Sequence, residues 1–129
     1  MKDYIKIKWE QIDFESFHEY DDTSFYMFAR GRNVLYIGHS YKQMVQNEIK
    51  QSLKRLKIAT SGLSIWLGYI VEMSYGKKSE QIVKDAEGIL ISTQKPSLNI
   101  QNVDAYYGRQ KFVVYNSNCP YLDEKVWSE

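Results

Sequence analysis

The sequence is short of cysteine, proline and long apolar runs, and each shortage excludes a class of protein. The single cysteine, Cys119, allows no internal disulfide and no cysteine-based zinc site, which fits a reducing compartment. With two prolines and abundant aromatic residues, the chain is not of the disordered type. The longest apolar stretch, at residues 65–71, is too short to cross a bilayer, and the first ten residues contain no signal-peptide core. These features predict a cytoplasmic protein with no membrane partner.

Length and charge set looser limits. A chain of 129 residues, 43% of them apolar, suits one domain over residues 1–129 with its own core. The formal net charge of +1 does not by itself predict a nucleic-acid partner. The charge is uneven, because residues 10–22 hold six acids and no base, whereas residues 42–57 hold five bases and one acid. The basic segment permits a phosphate-facing surface or an ordinary solvated helix face, and the acidic segment permits a basic protein partner.

Hydrophobic periodicity predicts a chain that mixes strands and helices. Alternating or β-branched and aromatic stretches predict strands, and apolar residues at three- and four-residue spacing predict helices. The predicted elements are a strand at 4–9, an acidic loop or short helix at 10–22, a hairpin at 24–38, a helix at 41–57, a strand at 63–73, a helix at 79–92, a strand at 111–115 and a weakly patterned tail at 122–129. This order predicts an α+β fold, a small α/β sandwich in which helices flank a central, mostly antiparallel sheet.

The hairpin has two possible registers, and they differ in where they place two tyrosines. A three-residue loop of Arg30, Gly31 and Arg32 would pair Tyr26 directly with Tyr36, so that both phenols stand on one face of the ribbon. A two-residue loop would put the two phenols on opposite faces.

Four motifs follow one another at a spacing that resembles a known family. They are Ser24-Phe25-Tyr26, Tyr36-Ile37-Gly38 followed by His39-Ser40, Ala86-Glu87-Gly88-Ile89-Leu90-Ile91, and Lys95-Pro96-Ser97-Leu98-Asn99. In this order they resemble the GIY-YIG nuclease superfamily, over residues 24–102, although the first half-motif keeps only its tyrosine. The closing residues 115–122 are similar to the tails of some standalone phage and bacterial members.

The resemblance implies a GIY-YIG-like fold and an endonuclease that cleaves DNA with a divalent metal. It implies that Glu87 binds Mg²⁺ or Mn²⁺, and that Tyr26 or Tyr36 accepts or relays a proton from water. His39 would act as a base or as a phosphate contact, and Asn99 would bind phosphate or hold Glu87 or a tyrosine in place. Each residue alone has an ordinary structural interpretation, and only their joint order favours catalysis.

One position departs from the family pattern. The family carries an arginine on the helix after the second half-motif, and by spacing that position is Gln46. Glutamine lacks the charged, forked contact that arginine makes with phosphate, so Lys42 or Lys50 would have to supply the charge. The sequence therefore predicts either an endonuclease of weakened activity or a catalytically inactive module that binds nucleic acid or protein. Because the chain is short, target specificity would come from the domain's own loops, from a homodimer or from a protein partner.

Overall fold

The structure is a computed structural model that describes residues 3–13, 23–74, 76–99 and 112–127. The chain folds into a mixed α+β structure whose elements follow the predicted order, with one additional strand at the end. The strands are β1 (Tyr4–Ile12), β2 (Phe25–Arg30), β3 (Asn33–His39), β4 (Leu63–Met73), β5 (Val113–Ser117) and β6 (Lys125–Trp127), and the helices are α1 (Val45–Arg55) and α2 (Glu80–Gln94). The predicted strand over residues 63–73 is confirmed at both ends.

The six strands form one sheet in the order β3-β2-β4-β1-β5-β6. Neighbouring strands are antiparallel except for β1 and β5, which are parallel. The mostly antiparallel sheet with helices packed on it confirms the predicted α+β class. Strand β3 forms one edge of the sheet and the short strand β6 forms the other.

The two faces of the sheet are covered to different extents. Along β1 the side chains of Ile5, Ile7 and Trp9 are buried, and they belong to the core that α2 completes on this face. Lys6 and Lys8 alternate with them and are exposed on the other face. There α1 packs its apolar stripe against β2 and β4, and the core residues are Tyr26, Phe28, Val45, Ile49, Leu53, Ile65 and Leu67.

The helix boundaries differ from the prediction in ways that the local chemistry explains. The side chain of Ser79 accepts a hydrogen bond from the backbone N–H of Ile82, so the predicted cap of α2 is confirmed. Helix α2 ends later than predicted, where Lys95 takes a left-handed backbone conformation. Helix α1 begins at Val45 and not at residue 41, because Lys42 has a φ of 54° and cannot be part of a right-handed helix.

The hairpin matches neither of the two registers that the sequence left open. A two-residue turn pairs Arg30 with Asn33, and an irregularity beyond it shifts the register by one residue. Tyr26 therefore lies opposite Gly38, and Tyr36 lies opposite Phe28. The shift compensates for the shorter loop, so both phenols still stand on one face, with ring centroids 6.0 Å apart.

The two ends of the chain also differ from the prediction. The last predicted strand, at residues 111–115, is found at Val113–Ser117, and residue 111 lies outside the described residues. The tail was predicted to be weakly patterned, yet it contains β6. Residues 10–12 belong to β1 and not to a loop or helix, and residues 14–22 lie outside the described part of the chain. No helix within the described ranges is long and apolar enough to cross a membrane.

Candidate active site

A pocket of about 350 Å³ lies where the chain leaves β3 between the two helices. Its lining residues come from β2, β3, the loop after β3 and both helices. They are Tyr26, Tyr36, His39, Ser40, Tyr41, Gln43, Glu48, Gln51, Ser52, Arg55, Glu80 and Glu87. Four of the five residues predicted to be catalytic are in this set, and they come from sequence positions as far apart as 26 and 87.

Tyr26 forms the buried floor of the pocket. Its side chain is 3% exposed, and its hydroxyl lies 2.7 Å from the Ser52 hydroxyl on α1. Its ring lies against Gly38, where an added Cβ would be only 2.3 Å from the ring carbon Cζ. Burial raises the pKa of Tyr26 well above its ordinary value, and the hydrogen bond with Ser52 offsets only part of that effect. This phenol therefore keeps its proton at physiological pH.

Tyr36 is the more accessible of the two phenols. It is half-buried, and an Nη2 atom of Arg55 donates a hydrogen bond of 3.1 Å to its hydroxyl oxygen. The guanidinium carbon of Arg55 also lies 5.6 Å from the centre of the Tyr36 ring. A strand residue and the last turn of α1 thus bring a phenol and a permanent cation together at one wall of the pocket.

His39 and Glu87 join β3 to α2. The Nδ1 atom of His39 lies 2.8 Å from the Oε2 atom of Glu87, and the two side chains are 30% and 17% exposed. The hydrogen bond with Glu87 raises the pKa of His39, whereas burial acts in the opposite direction. Because Nδ1 is engaged by Glu87, proton exchange between this ring and a ligand would take place through Nε2.

Asn99 is not among the described residues that line the pocket, but it holds one of the pocket's strands. Its Nδ2 donates to the carbonyl of Ile37 at 2.9 Å, and its Oδ1 accepts from the N–H of Ile37 at 3.0 Å. The backbone N–H of Leu98 also donates to the carbonyl of Leu35. Residues 97–99 therefore satisfy the free edge of β3, the strand that carries Tyr36 and His39.

The predicted phosphate contacts do not line the pocket: Gln46 and Lys50 lie on a different face of α1, and Lys42 lies in the loop before this helix. Gln46, Lys42 and Lys50 do not occur among the described residues that line the pocket. Lys42 and Lys50 are exposed, and Gln46 is half-buried. The helix turns the row of Glu48, Ser52 and Arg55 towards the pocket.

Sequence reasoning missed Arg55 because the apolar stripe of α1 has a polar row on each side. Gln46 and Lys50 follow one side of the stripe, whereas Glu48, Ser52 and Arg55 follow the other. The spacing of the second row, at i, i+4 and i+7, was a visible signal. It does not by itself show which row faces a site, since that depends on how the helix docks on the sheet.

The pocket combines acidic and basic side chains. Three carboxylates, from Glu48, Glu80 and Glu87, face it together with Arg55 and His39. No cluster of three or more His, Cys, Asp or Glu side chains suited to a metal occurs among the described residues, so a site built only from protein ligands is not formed there. A single carboxylate such as Glu87 does suit Mg²⁺, which keeps several water ligands and often binds through one or two carboxylates.

Comparison of the chain with protein-family models, with curated proteins and with solved structures finds no match to any of them. The function of this pocket must therefore be argued from its own geometry, together with the order of the motifs in the sequence.

Proposed function

We propose that the chain is a GIY-YIG-like nuclease that hydrolyses the phosphodiester bonds of DNA with the help of Mg²⁺ or Mn²⁺. The observation that carries this proposal is the convergence of Tyr26, Tyr36, His39 and Glu87 on one pocket. Their order in the sequence suggested a common site. In the fold, the hairpin register places the two tyrosines on one face, His39 ends β3, and Glu87 extends from α2.

Glu87 is the residue that would hold the cation. Its Oε2 accepts from His39, which leaves the second carboxylate oxygen for a metal and its water ligands. When bound, the cation would stabilise the negative charge that grows on the phosphoryl oxygens. The carboxylates of Glu48 and Glu80 add to the attraction for a cation at this wall.

Arg55 would take the role that the family resemblance gives to residue 46. One N–H of the Arg55 guanidinium donates to the Tyr36 hydroxyl. A guanidinium has five N–H donors, so others can donate to a phosphate. Gln46, by contrast, is on the other side of the helix from the pocket wall. The missing arginine of the motif is therefore compensated by an arginine about two and a half helical turns later.

The two tyrosines have different roles. Tyr36 is the phenol that water or substrate can reach, so it is the candidate to accept or relay the proton of the attacking water. Tyr26 is buried and stays protonated, and it positions the site by packing on Gly38 and bonding to Ser52. His39 contributes a second group able to exchange a proton, through Nε2.

The test is nicking of supercoiled plasmid by the purified protein with Mg²⁺ or Mn²⁺. Glu87→Gln removes the carboxylate with little change of shape, and we expect the rate to fall by about 10²–10³, the loss typical when one group that stabilises developing charge is removed. Glu10→Gln, at an exposed carboxylate on β1, is the matched control and should cleave like the wild type. Equal nicking by wild type and Glu87→Gln would refute the proposal.

A second candidate is a module that binds DNA without cutting it. It is favoured by the 2.8 Å contact between His39 and Glu87, because this contact already uses one oxygen of the only proposed metal ligand. Binding of DNA in EDTA, together with no cleavage by the wild type with either metal, would establish this function instead.

A further inference from the structure

The face of the sheet opposite α2 carries a group of aromatic and basic side chains that lies away from the pocket. Strands β1, β5 and β6 each present alternate residues there. Six of these residues are aromatic or basic, and the others are Glu10, Ile12, Val113 and Ser117. We name this surface the open face, and its members are Tyr4, Lys6, Lys8, Tyr115, Lys125 and Trp127.

The strand register interleaves rings with cations on the open face. Lys6 is the partner of Tyr115 across the β1–β5 pair, and Tyr115 is the partner of Lys125 across β5–β6. The Lys125 ammonium lies 5.9 Å from the centre of the Tyr115 ring and 5.8 Å from that of Trp127. The Tyr4 and Tyr115 rings contact edge to face, with centroids 6.1 Å apart. Tyr4 and Tyr115 therefore contact directly, and the Lys125 ammonium links Tyr115 to Trp127.

The open face is accessible to solvent, and the nearby carboxylate of Glu72 is bonded to residues of this face. Trp127 is 46% exposed, although the other two tryptophans are buried in the core. The carboxylate of Glu72 accepts from the Tyr4 hydroxyl and lies 3.6 Å from the Lys6 ammonium. A groove of about 450 Å³ runs beside Lys6 and Tyr115, with Glu124 as the acidic side chain in its lining.

We propose that the open face binds single-stranded nucleic acid, with bases stacked on Trp127 and Tyr115 and phosphates at Lys6, Lys8 and Lys125. Exposed rings beside a positive surface are the combination that holds single strands, because every base has a face that can stack. A duplex keeps its bases stacked on one another inside the helix and cannot offer them to rings on a sheet.

Lys125 already lies against the rings on which bases would stack, but this contact does not prevent stacking. An exposed cation–π contact is weaker than stacking of a base on an aromatic ring, so a base can displace Lys125 from Trp127. The displaced ammonium then stays within reach of the phosphates that flank that base. The groove beside Tyr115 gives the strand a path across β5.

This binding does not depend on the proposed cleavage, since none of the residues of the open face lines the pocket. The test is therefore made in EDTA with the whole chain. Fluorescence anisotropy of a labelled oligothymidine of about 12 nucleotides is compared with that of a duplex of equal length, at low salt. We expect the single strand to bind at least about tenfold more tightly than the duplex.

Trp127 offers a direct readout of stacking. The single strand should quench the fluorescence of the wild type, and because Trp9 and Trp66 are buried, the quenched emission should be missing from Trp127→Phe. Trp127→Ala should weaken binding by about fivefold to a hundredfold, whereas Trp127→Phe, which keeps a ring, should retain most of it. Met44→Ala, at an exposed apolar side chain before α1, is the control and should bind like the wild type.

The dependence on salt tests the lysines. Three phosphate contacts predict a slope of about −2 in a plot of log affinity against log salt, and Lys125→Ala should reduce its magnitude by about 0.7. Lys54→Ala, exposed on α1, should leave the slope unchanged. Circular dichroism confirms that each variant is folded. Equal affinity for single strand and duplex, equally tight binding of polyglutamate, or no effect of Trp127→Ala would each overturn the proposal.

Discussion

The half of the sheet beneath α1 and the half formed by β1, β5 and β6 treat their polar side chains in opposite ways. In the pocket the polar groups are bonded to one another, as in the contacts of Tyr36 with Arg55 and of His39 with Glu87. On the open face Lys125 lies in water beside two aromatic rings, and Lys6 forms only an exposed ion pair with Glu72. Mutually bonded groups hold one geometry, which chemistry on a single bond requires. Rings with mobile cations accept many geometries, which suits a flexible polymer.

The backbone is also more tightly held in the pocket half than in the half that carries the open face. At the pocket edge, β3 is closed by residues 97–99, and Gly38 is packed against a buried ring. At the opposite edge β6 is only three residues long, and two of its three side chains are exposed. A short, charged edge strand resists pairing with other chains while leaving its surface accessible. Perturbing the pocket should therefore cost more stability than perturbing the open face.

Gly38→Ala should have the largest effect. An added Cβ would lie 2.3 Å from Cζ and 2.5 Å from the hydroxyl oxygen of Tyr26, whose buried ring has little room to move. We expect unfolding in urea to show a loss of about 3 kcal/mol, at the upper end of ordinary overpacking, together with the loss of any cleavage.

Gly68→Ala is the matched control for this substitution. Its Cβ would lie 3.0 Å from the Trp9 ring, so a shift of a few tenths of an ångström accommodates it, and the loss should be smaller. Single-strand binding should be kept by both variants. If Gly38→Ala were as stable as the wild type, the packing of Tyr26 on Gly38 could not be what shapes the pocket.

Arg55→Ala should separate the two halves by function. Because Arg55 is the cation bonded to Tyr36, its removal should lower the cleavage rate by about 10²-fold and leave single-strand binding in EDTA unchanged. Lys54→Ala removes a neighbouring charge that does not line the pocket and should cleave normally. Gln46→Arg should not raise the rate, and a large gain from it would show that position 46 meets the substrate after all.

Sequence reasoning predicted the mixed α+β class, and four of the residues it named line one pocket. The strand over residues 63–73 and the cap at Ser79 depend on local signals, and both were predicted. The side of α1 that faces the pocket depends on how the helix docks, so Gln46 was favoured and Arg55 was missed. Strand β6 has only three residues and is stabilised by its pairing with β5, which no local pattern reveals.

The hairpin shows why the sequence left two registers open. The loop has two residues, and the irregularity beyond it, which no local pattern indicates, shifts the register by one residue. The two phenols therefore stand on one face, which is the arrangement that the three-residue loop would have given. The open face was missed for a related reason: the alternation in β1 was visible, but the placement of Tyr115 and Trp127 beside it depends on a parallel pairing across more than 100 residues.

Asn99→Leu should have an intermediate effect that is confined to the pocket half. The substitution keeps the size of the side chain but leaves the N–H and carbonyl of Ile37 without their partners. We expect a loss of about 1–3 kcal/mol in urea unfolding, the range for a buried group left unsatisfied. Asn47→Leu, at an exposed position on α1, should change stability little. An equal loss from both variants would mean that Asn99 does not hold β3.

The smallest effects, those of pH, should have opposite directions in the two halves. The pKa of His39 is raised by its bond to Glu87, so this pair stabilises the fold fully below the unfolded pKa of about 6.5 and loses that contribution as pH rises through the folded pKa. Measured in EDTA, wild type and His39→Gln should therefore differ in stability at about pH 5.5 and converge at about pH 9.

At Glu72, which contacts Tyr4 and Lys6 of the open face, stability should depend on pH in the opposite direction. The pKa of Glu72 is lowered by its bond to Tyr4 and by Lys6, so its contribution is present above the unfolded pKa and disappears as pH falls through the folded pKa. Wild type and Glu72→Gln should differ slightly near neutral pH and converge in acid, and salt should shrink this difference because the pair is exposed. Urea unfolding of the wild type, His39→Gln and Glu72→Gln across pH measures both differences. If both variants converged with the wild type at the same end of the pH range, the two halves would not be electrostatically distinct.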